Sequence, residues 1–332
     1  ELSAELSRPV PNVIKRYAQY SVEYALDSLP PTIKKYIKNC YSNIEDEISR
    51  AEKEQQSCSS PLLKMVDLPR LLQDSIVRPA VEFMYGVFMT VLTELRDKKS
   101  KYGQLYHEIL EQAFRFSAKF QNSEYLKAFS GNFFNPNEKD LKKSTIVPYI
   151  QSQYVRYETA VELKNLETAI YALGDATDAI SKDKTISPEI KQKISQAKYD
   201  LLKKNGGKLY AAIIHSNLLE LYKNNPSLVP EMDIKKLQEI VLIEALTSSL
   251  VQEYVPMPPK IKINVFLDVS GESLPSREVL IKHLLDQQPN SELSEFAYAA
   301  EFGTDPFVIC EKFQKFQQVF NSNTFYQDFR KD

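Results

Sequence analysis

Glycine is scarce in this chain, and that scarcity restricts the possible folds more than any other sequence feature. There are 8 glycines among 332 residues, whereas average usage of about 7% would give roughly 23. Glycine supplies the positive-φ turns of β-hairpins and the phosphate-binding loops of α/β nucleotide enzymes. The 18 prolines fall between periodic segments. The sequence therefore predicts helices joined by short turns that begin with proline.

Helix-start signals recur along the chain. At four places a capping side chain directly precedes proline, which is favoured at the first helical position because the N–H that it lacks has no intrahelical partner there. These pairs are Ser60-Pro61, Asn135-Pro136, Ser187-Pro188 and Asp305-Pro306. They indicate repeated helix initiation.

Between these signals, apolar residues recur every three or four positions, as they do on one face of an α-helix. Ile33, Ile37 and Ile44 form one such stripe. The run from Val155 to Ile180 predicts one long helix. The segment Leu209–Leu221 is apolar on most sides, which is typical of a central helix.

One segment departs from the helical period. Tyr254–Pro259 should end the preceding helix, because proline cannot continue it. The next segment, Ile261–Val269, alternates apolar and polar residues, which indicates a strand, an extended linker or an edge that pairs with something else. We expect a domain boundary near residue 255, with a weaker break at 130–147.

The predicted fold is all-α. It is a multi-helix antiparallel bundle or array over residues 1–254, followed by a small C-terminal helical subdomain over 255–332. At most one short strand or extended linker is expected, at about 261–269.

Charge and composition exclude several classes of protein. The net charge is −2, whereas a general nucleic-acid binder carries a clear excess of positive charge. Three cysteines are poor material for a disulfide framework. The longest apolar run, Ala80–Leu92, is too short to span a bilayer. The chain starts at Glu1 instead of Met, as expected of a processed form. We expect an intracellular location, the cytoplasm first and an organelle as the alternative.

The residues that usually carry chemistry form no recognisable motif. His107, His215 and His283 lack the spacing of metal or catalytic motifs, and His215 is interpreted as a core histidine. Asp175 and Asp178 are the candidates for a metal site, because acids three apart share a helix face, although a solvated helix face explains them as well. No cofactor, catalytic residue or small-molecule substrate is predicted.

Two further sequence features have structural explanations. Glu244 is interpreted as the polar edge of an amphipathic helix, since glutamate is rarely fully buried. Asn205-Gly206-Gly207-Lys208 lacks the flanking residues of a P-loop. It suits a helix C-terminus with glycine in the left-handed conformation.

Two sets of residues indicate binding. Basic residues flank amphipathic segments near the N-terminus, where they could meet an anionic membrane surface or an anionic partner. They are Lys15, Arg16, Lys34, Lys35 and Lys38. Aromatic residues lie along the last predicted helix and are candidate anchors for a protein partner. They are Phe307, Phe313, Phe316 and Phe320. Packing within the protein is the alternative for both sets.

The functional hypothesis that follows is a non-enzymatic helical scaffold, adaptor or assembly subunit that acts through protein–protein contacts. Two alternatives remain open. One is a peripheral membrane or lipid-handling protein that uses the basic N-terminal helices. The other is an all-α enzyme with an apolar pocket. No nucleic-acid partner is expected.

Overall fold

The computed structural model describes most of residues 77–322 and part of the positions between 31 and 53. The gaps within 77–322 are 97–98, 134–142, 184, 229–233, 249–256, 260, 270–273 and 287–290. All regular secondary structure in this described part of the chain is helical. The all-α prediction is therefore confirmed.

Twelve α-helices have defined bounds in the described residues. The first five are α1 (Val77–Arg96), α2 (Lys99–Lys119), α3 (Ser123–Phe133), α4 (Lys143–Glu162) and α5 (Leu166–Lys182). The next four are α6 (Pro188–Lys204), α7 (Lys208–Asn224), α8 (Ile234–Thr247) and α9 (Ile263–Leu267). The last three are α10 (Arg277–Asp286), α11 (Glu292–Phe302) and α12 (Pro306–Ser322). A 3₁₀ turn, Pro226–Leu228, follows α7.

The chain divides into two compact units, unit 1 over Glu1–Ala179 and unit 2 over Ile180–Asp332. In unit 2, α8 packs against α10 and α11. The predicted boundary near residue 255 lies outside the described residues and stays a prediction.

Unit 1 has an aromatic core at the junction of α1, α2 and α3. Phe88, Phe116 and Phe129 are fully buried, and the ring centroids of Phe88 and Phe116 are 5.5 Å apart. Tyr85 stacks on Tyr125 with centroids 4.3 Å apart. Offset and edge-on ring pairs of this kind add to the hydrophobic stabilisation from burial alone.

Alternate helices α2 and α4 run parallel and pack closely. His107 of α2 lies 3.1 Å from Ser152 of α4, from Nδ1 to Oγ. Just past the end of α2, Gln121 reaches Glu162 at the end of α4. At the start of α2, a Cβ atom on Gly103 would lie 2.4 Å from Thr145 Cγ2. A larger residue there would have to displace the Thr145 side chain, so glycine suits the close approach of α4.

The described residues between 31 and 53 are helical and lie along α2. Ile33 and Ile37 are buried, as the apolar stripe predicts. Lys34 pairs with Glu108, and the Tyr41 ring meets Phe116 edge-on. Burial, with a contribution from the charge of Glu45, raises the pKa of Tyr41 well above its ordinary value.

Unit 1 makes two tight turns without glycine. Gln121 and Lys164 take left-handed conformations, with φ of 48° and 55°. Each is followed by an asparagine whose side chain accepts hydrogen bonds from the next helix: Asn122 from Glu124 and Tyr125, and Asn165 from Thr168. Left-handed Lys164 interrupts the long helix predicted from Val155 to Ile180, so that prediction was wrong. Local capping by asparagine outweighs the continuous apolar period there.

Unit 2 has an aliphatic core formed by α6, α7 and α8. Ile213, Leu218 and Val241 are almost fully buried. Helices α6 and α7 run antiparallel, because Gln192 reaches Tyr222 while Tyr199 meets His215. As predicted, α6 begins with Ser187 and Pro188, and Gly206 follows it with φ of 83°.

The strand predicted at Ile261–Val269 is wrong, because residues 263–267 form helix α9. Phe266 and Leu267 are fully buried, and together with Ile263 they have helical spacing as well as alternation. A short apolar run does not separate the two periods. The described residues contain no strand with which it could pair, so the segment satisfies its backbone groups locally. Asp268 ends the helix in the left-handed conformation.

In the part of the chain that the structure describes, no helix combines the length and apolar character that crossing a membrane requires.

Candidate functional site

The C-terminal helices α11 and α12 form a hairpin that carries the predicted aromatic residues, and it divides them between inside and outside. Phe316 is only 9% exposed and stacks on Phe296, with centroids 5.6 Å apart and ring planes 4° from parallel. Phe313 also contacts Phe296, at 5.3 Å, but stays 45% exposed. Phe307 is 85% exposed. The side chain of Phe320 lies outside the described residues.

Exposed apolar side chains are concentrated on this hairpin. Six large apolar side chains are exposed in the described residues, and four of them lie on α11 and α12. They are Tyr298, Phe307, Val308 and Phe313, and we call them the hairpin surface. The other two are Val265 and Val279. Clustered exposed apolar groups mark interaction sites, whereas isolated ones are ordinary.

A cavity of about 610 Å³ opens beside this surface and is called the hairpin cavity. Its apolar wall includes Tyr298 of α11 and Val308 and Ile309 of α12. Lys312, which also lines it, pairs with Glu295 across the two helices. The cavity falls within the usual range of ligand pockets, roughly 300–1,000 Å³.

The turn between α11 and α12 has a shape that only glycine permits. A Cβ atom on Gly303 would lie 2.3 Å from the carbonyl oxygen of Ala299. The predicted start of α12 at Asp305-Pro306 is confirmed, and the Asp305 carboxylate accepts a hydrogen bond of 2.9 Å from the Phe307 N–H. This cap holds the first turn of α12, which carries Phe307.

An ion pair secures the base of the hairpin. Arg277 of α10 donates to the Ser248 carbonyl at 2.9 Å and pairs with Glu301 of α11 at 2.8 Å. Both side chains are largely buried. The Nε–H of Arg277 is buried without a hydrogen-bond partner among the described residues. These contacts therefore fix α11, one of the two helices that carry the exposed rings, against α10.

The basic N-terminal residues are placed only in part. Lys15 and Arg16 lie outside the described residues. Lys34, Lys35 and Lys38 are exposed, and Lys34 is paired with Glu108 of α2. The apolar face of the same segment is buried within unit 1 at Ile33 and Ile37. That face is thus already covered, and binding of the lysines to a membrane or anionic partner stays a prediction.

The predicted acid pair on α5 has a structural partner. Asp175 accepts a 3.1 Å hydrogen bond from Arg156 Nη1, within an ion pair that is largely buried. Burial lowers the pKa of Arg156, and the charge of Asp175 opposes that shift. Asp178 lies one turn farther along and is half-buried. Asp175 therefore compensates a buried guanidinium.

Glu244 is the centre of a polar cluster and is not on a solvated edge as predicted, since its side chain is only 14% exposed. It accepts from the Tyr199 hydroxyl and lies 2.7 Å from His215 Nδ1. Lys203 Nζ stands 3.8 Å from the same carboxylate. These contacts tie α6, α7 and α8 together, and His215 is the partnered core histidine that was predicted. Neither Glu244 nor His215 lines the hairpin cavity.

Lys198 is the most buried lysine or arginine among the described residues of unit 2, at 2% exposure. Its ammonium donates to the Phe266 carbonyl of α9 at 2.9 Å. Beside it, Asn217 donates to the Leu267 carbonyl at 2.8 Å. Burial lowers the pKa of Lys198 to about 8, while the charge of Asp268 opposes that shift. Lys198 and Asn217 therefore satisfy the carbonyl end of α9.

Sequence reasoning missed Tyr298 and Val308 because it followed phenylalanine alone. The signal was present in α11, where Phe296 and Tyr298 stand two apart and point to different sides of the helix. A helix in which both sides carry rings cannot bury both against one neighbour. The turn Gly303–Pro306 would then have placed Val308 beside Tyr298.

No family model and no curated protein matches the sequence of this chain. Its function therefore has to be inferred from its residues and their geometry.

Proposed function

We propose that this chain is a helical adaptor or assembly subunit that binds a protein partner through the hairpin surface. The observation that carries the proposal is the concentration of exposed apolar side chains on α11 and α12, with Phe307 85% exposed. Covering a side chain of that size is worth roughly 1.5–3 kcal/mol. A partner that covers several of them gains much of its affinity there.

The buried side of the hairpin supports this function. Phe316 and Phe296 stack in the interior, and Phe313 rests on Phe296 while remaining partly exposed. An exposed ring on a packed base loses little conformational freedom when it is covered, which favours binding. Large aromatic side chains of this kind are frequent binding hot spots.

The hairpin cavity supplies a receptor for the partner. Tyr298 and Val308 belong both to the hairpin surface and to the cavity wall. A partner side chain that enters between them would be surrounded by apolar groups, with the Glu295–Lys312 pair at its edge. This arrangement matches an interface with an apolar centre and a polar rim.

The test replaces Phe307 by aspartate. Because Phe307 is solvent-exposed, Phe307→Asp should leave the thermal unfolding midpoint close to wild type. It should also remove the bound partner, because a carboxylate at the interface centre would be desolvated. Quantitative mass spectrometry of proteins that co-purify with the tagged chain from its native cells measures the loss.

Val279→Asp is the matched control. Val279 is 56% exposed and lies on α10. Its replacement by aspartate therefore introduces the same carboxylate on the same unit, away from the hairpin. An unchanged set of partners in Phe307→Asp, or an equal loss in Val279→Asp, would contradict the proposal. Phe316→Ala should instead destabilise the hairpin by about 3 kcal/mol or more, because Phe316 is packed inside.

A further inference from the structure

The hairpin cavity lies between two antiparallel helices, and this arrangement indicates the kind of partner segment that fits it. Tyr298 of α11 and Val308 of α12 line the cavity together. Phe296, earlier on α11, contacts Phe316, later on α12. The two helices therefore run in opposite directions with a groove between them. A groove of this kind receives the apolar face of an amphipathic helix.

Most carboxylates of the hairpin are neutralised within the protein. Three of them have a basic partner: Glu295 with Lys312, Glu311 with Lys315, and Glu301 with Arg277 of α10. Hydrogen bonds from the two lysines hold the pKa of Glu295 and of Glu311 below the ordinary value of a glutamate, so both stay ionised at neutral pH. These three pairs add no net charge to the surface.

Two further carboxylates of the hairpin, those of Asp305 and Glu292, have no basic partner in the part of the chain that the structure describes. Asp305 lines the cavity, and its carboxylate accepts only from the uncharged Phe307 N–H. Glu292 is exposed on the first turn of α11. It precedes the cavity residue Ala299 by seven positions, which places both on one helix face. One unpaired carboxylate therefore lies towards each end of the groove.

The groove is thus apolar at its centre and negative at both ends. A second copy of this chain would bring the same unpaired carboxylates to the interface, and an anionic membrane or a nucleic acid would be repelled. A partner with positive charge on both sides of an apolar face is complementary. Helix α11 has 11 residues, about 16 Å at 1.5 Å per residue, so about three turns of a partner helix reach from Glu292 to Asp305.

We propose that the segment bound by the hairpin is a basic amphipathic helix of at least about three turns, with lysine or arginine near each end of its apolar face. The inference rests on the function proposed above, since it names the partner of the same surface. Apolar side chains of this helix pack between Tyr298 and Val308, and its basic side chains pair with Asp305 and Glu292. The charges at the rim select basic helices over acidic ones.

The experiment measures binding of two synthetic helical peptides to the full chain by fluorescence anisotropy. Both have about four turns and the same leucine face, but one has lysine and the other glutamate at its polar positions. The lysine peptide is expected to bind, with an affinity that falls as salt is added. The glutamate peptide should bind about tenfold more weakly or worse, because two attractive contacts become repulsive.

Three variants locate the binding. Asp305→Asn removes the charge and keeps the cap of α12, because asparagine caps a helix as well as aspartate does. It should weaken binding of the lysine peptide about two- to fivefold, as loss of one exposed ion pair does. Tyr298→Ala, at an exposed position, should weaken it about tenfold. Asp200→Asn makes the same change as Asp305→Asn at an exposed position of α6 and should bind as wild type does.

Each contrary outcome is distinct. The basic-helix proposal is overturned if the lysine peptide does not bind, if both peptides bind equally, or if Asp305→Asn and Tyr298→Ala bind it as wild type does. Self-association of the full chain in sedimentation velocity, abolished by Phe307→Asp, would also overturn it, because a second copy would then occupy the groove. The function proposed above fails separately, when Phe307→Asp keeps its co-purifying partners. Loss of those partners without a preference for the lysine peptide would remove the basic helix alone.

Discussion

Among the described residues, each unit buries one arginine or lysine side chain, and the two units satisfy its hydrogen bonds in different ways. In unit 1, Arg156 distributes its N–H groups over Ser130, Gln153 and the carboxylate of Asp175. In unit 2, Lys198 meets a backbone carbonyl, that of Phe266, at 2.9 Å. Among the arginines and lysines in the described part of the chain, Arg156 and Lys198 are the two that are buried.

The difference follows from the chemistry of the two cations. Guanidinium is planar and always charged, so it needs several fixed acceptors, and its five N–H groups can reach them. An ammonium group is compact and gives up its proton when it is buried. Unit 1 therefore depends on an intact ion pair, whereas the stability of unit 2 should depend on pH.

The largest effect is expected from removing the carboxylate of unit 1. Asp175→Asn leaves the buried guanidinium of Arg156 without a compensating charge. Breaking one side of a buried ion pair costs about 3–5 kcal/mol, and the free energy of unfolding should fall by that amount in urea denaturation. Glu158→Gln removes an exposed carboxylate from α4 and should change stability by less than about 0.5 kcal/mol.

Asp175 is also a predicted metal ligand, so the same variant separates two roles. If the carboxylate serves Arg156, the loss of stability in Asp175→Asn is the same with and without divalent cations or a chelator. A loss that appears only when a divalent cation is present would instead identify Asp175 as a ligand. An unchanged stability would show that Arg156 does not need this partner.

The second effect is the pH dependence of unit 2. Burial lowers the pKa of Lys198 from 10.5 to about 8, so between these pH values the unfolded chain binds one proton more than the folded chain. Stability therefore rises with pH from about 8 to about 10.5, by about 3 kcal/mol in total, and the penalty is fully present below pH 8. Urea denaturation across this range measures it.

Lys198→Met isolates this contribution because it removes the proton and keeps the apolar stem. The difference in stability between wild type and Lys198→Met should shift towards wild type as pH rises. Lys204→Met alters an exposed lysine at the end of the same helix and should keep the wild-type slope. A Lys198→Met variant with that same slope would contradict the proposed cost of burying the charge.

Sequence predicted the helices of both units because their signals are local. Scarce glycine, Ser187-Pro188 and the apolar residues of α7 all act within a few positions. Arg156 and Asp175 are 19 positions apart, and they meet only because the chain turns at Lys164, between α4 and α5. The left-handed residue that positions them is a lysine, which gives no sequence signal of the kind that glycine gives.

The candidate sites were predictable to the same limited extent. The phenylalanines of the hairpin could be named from sequence, but their division into buried Phe316 and exposed Phe307 depends on the direction of α12 against α11. In unit 1, a cavity of about 610 Å³ is lined by residues within 123–130 and within 163–171. No local period links those two segments.

The smallest effect concerns the helix ends, where the two units again differ. Unit 1 places Gln121 and Lys164 in the left-handed conformation, whereas unit 2 uses Gly206 after α6 as well as Asp268 after α9. A side chain in this conformation is strained by roughly 1 kcal/mol relative to glycine. Lys164→Gly should therefore stabilise unit 1 by about 0.5–1 kcal/mol, although glycine also gains entropy in the unfolded chain, which limits the benefit.

Gly206→Ala is the reciprocal variant and should destabilise unit 2 by about 1 kcal/mol. The added Cβ atom has room, but the positive φ of Gly206 is unfavourable for any residue with a side chain. Both changes are measured as shifts of the urea midpoint at constant slope. If Lys164→Gly lowers stability, the lysine side chain contributes more to the turn than its backbone strain costs.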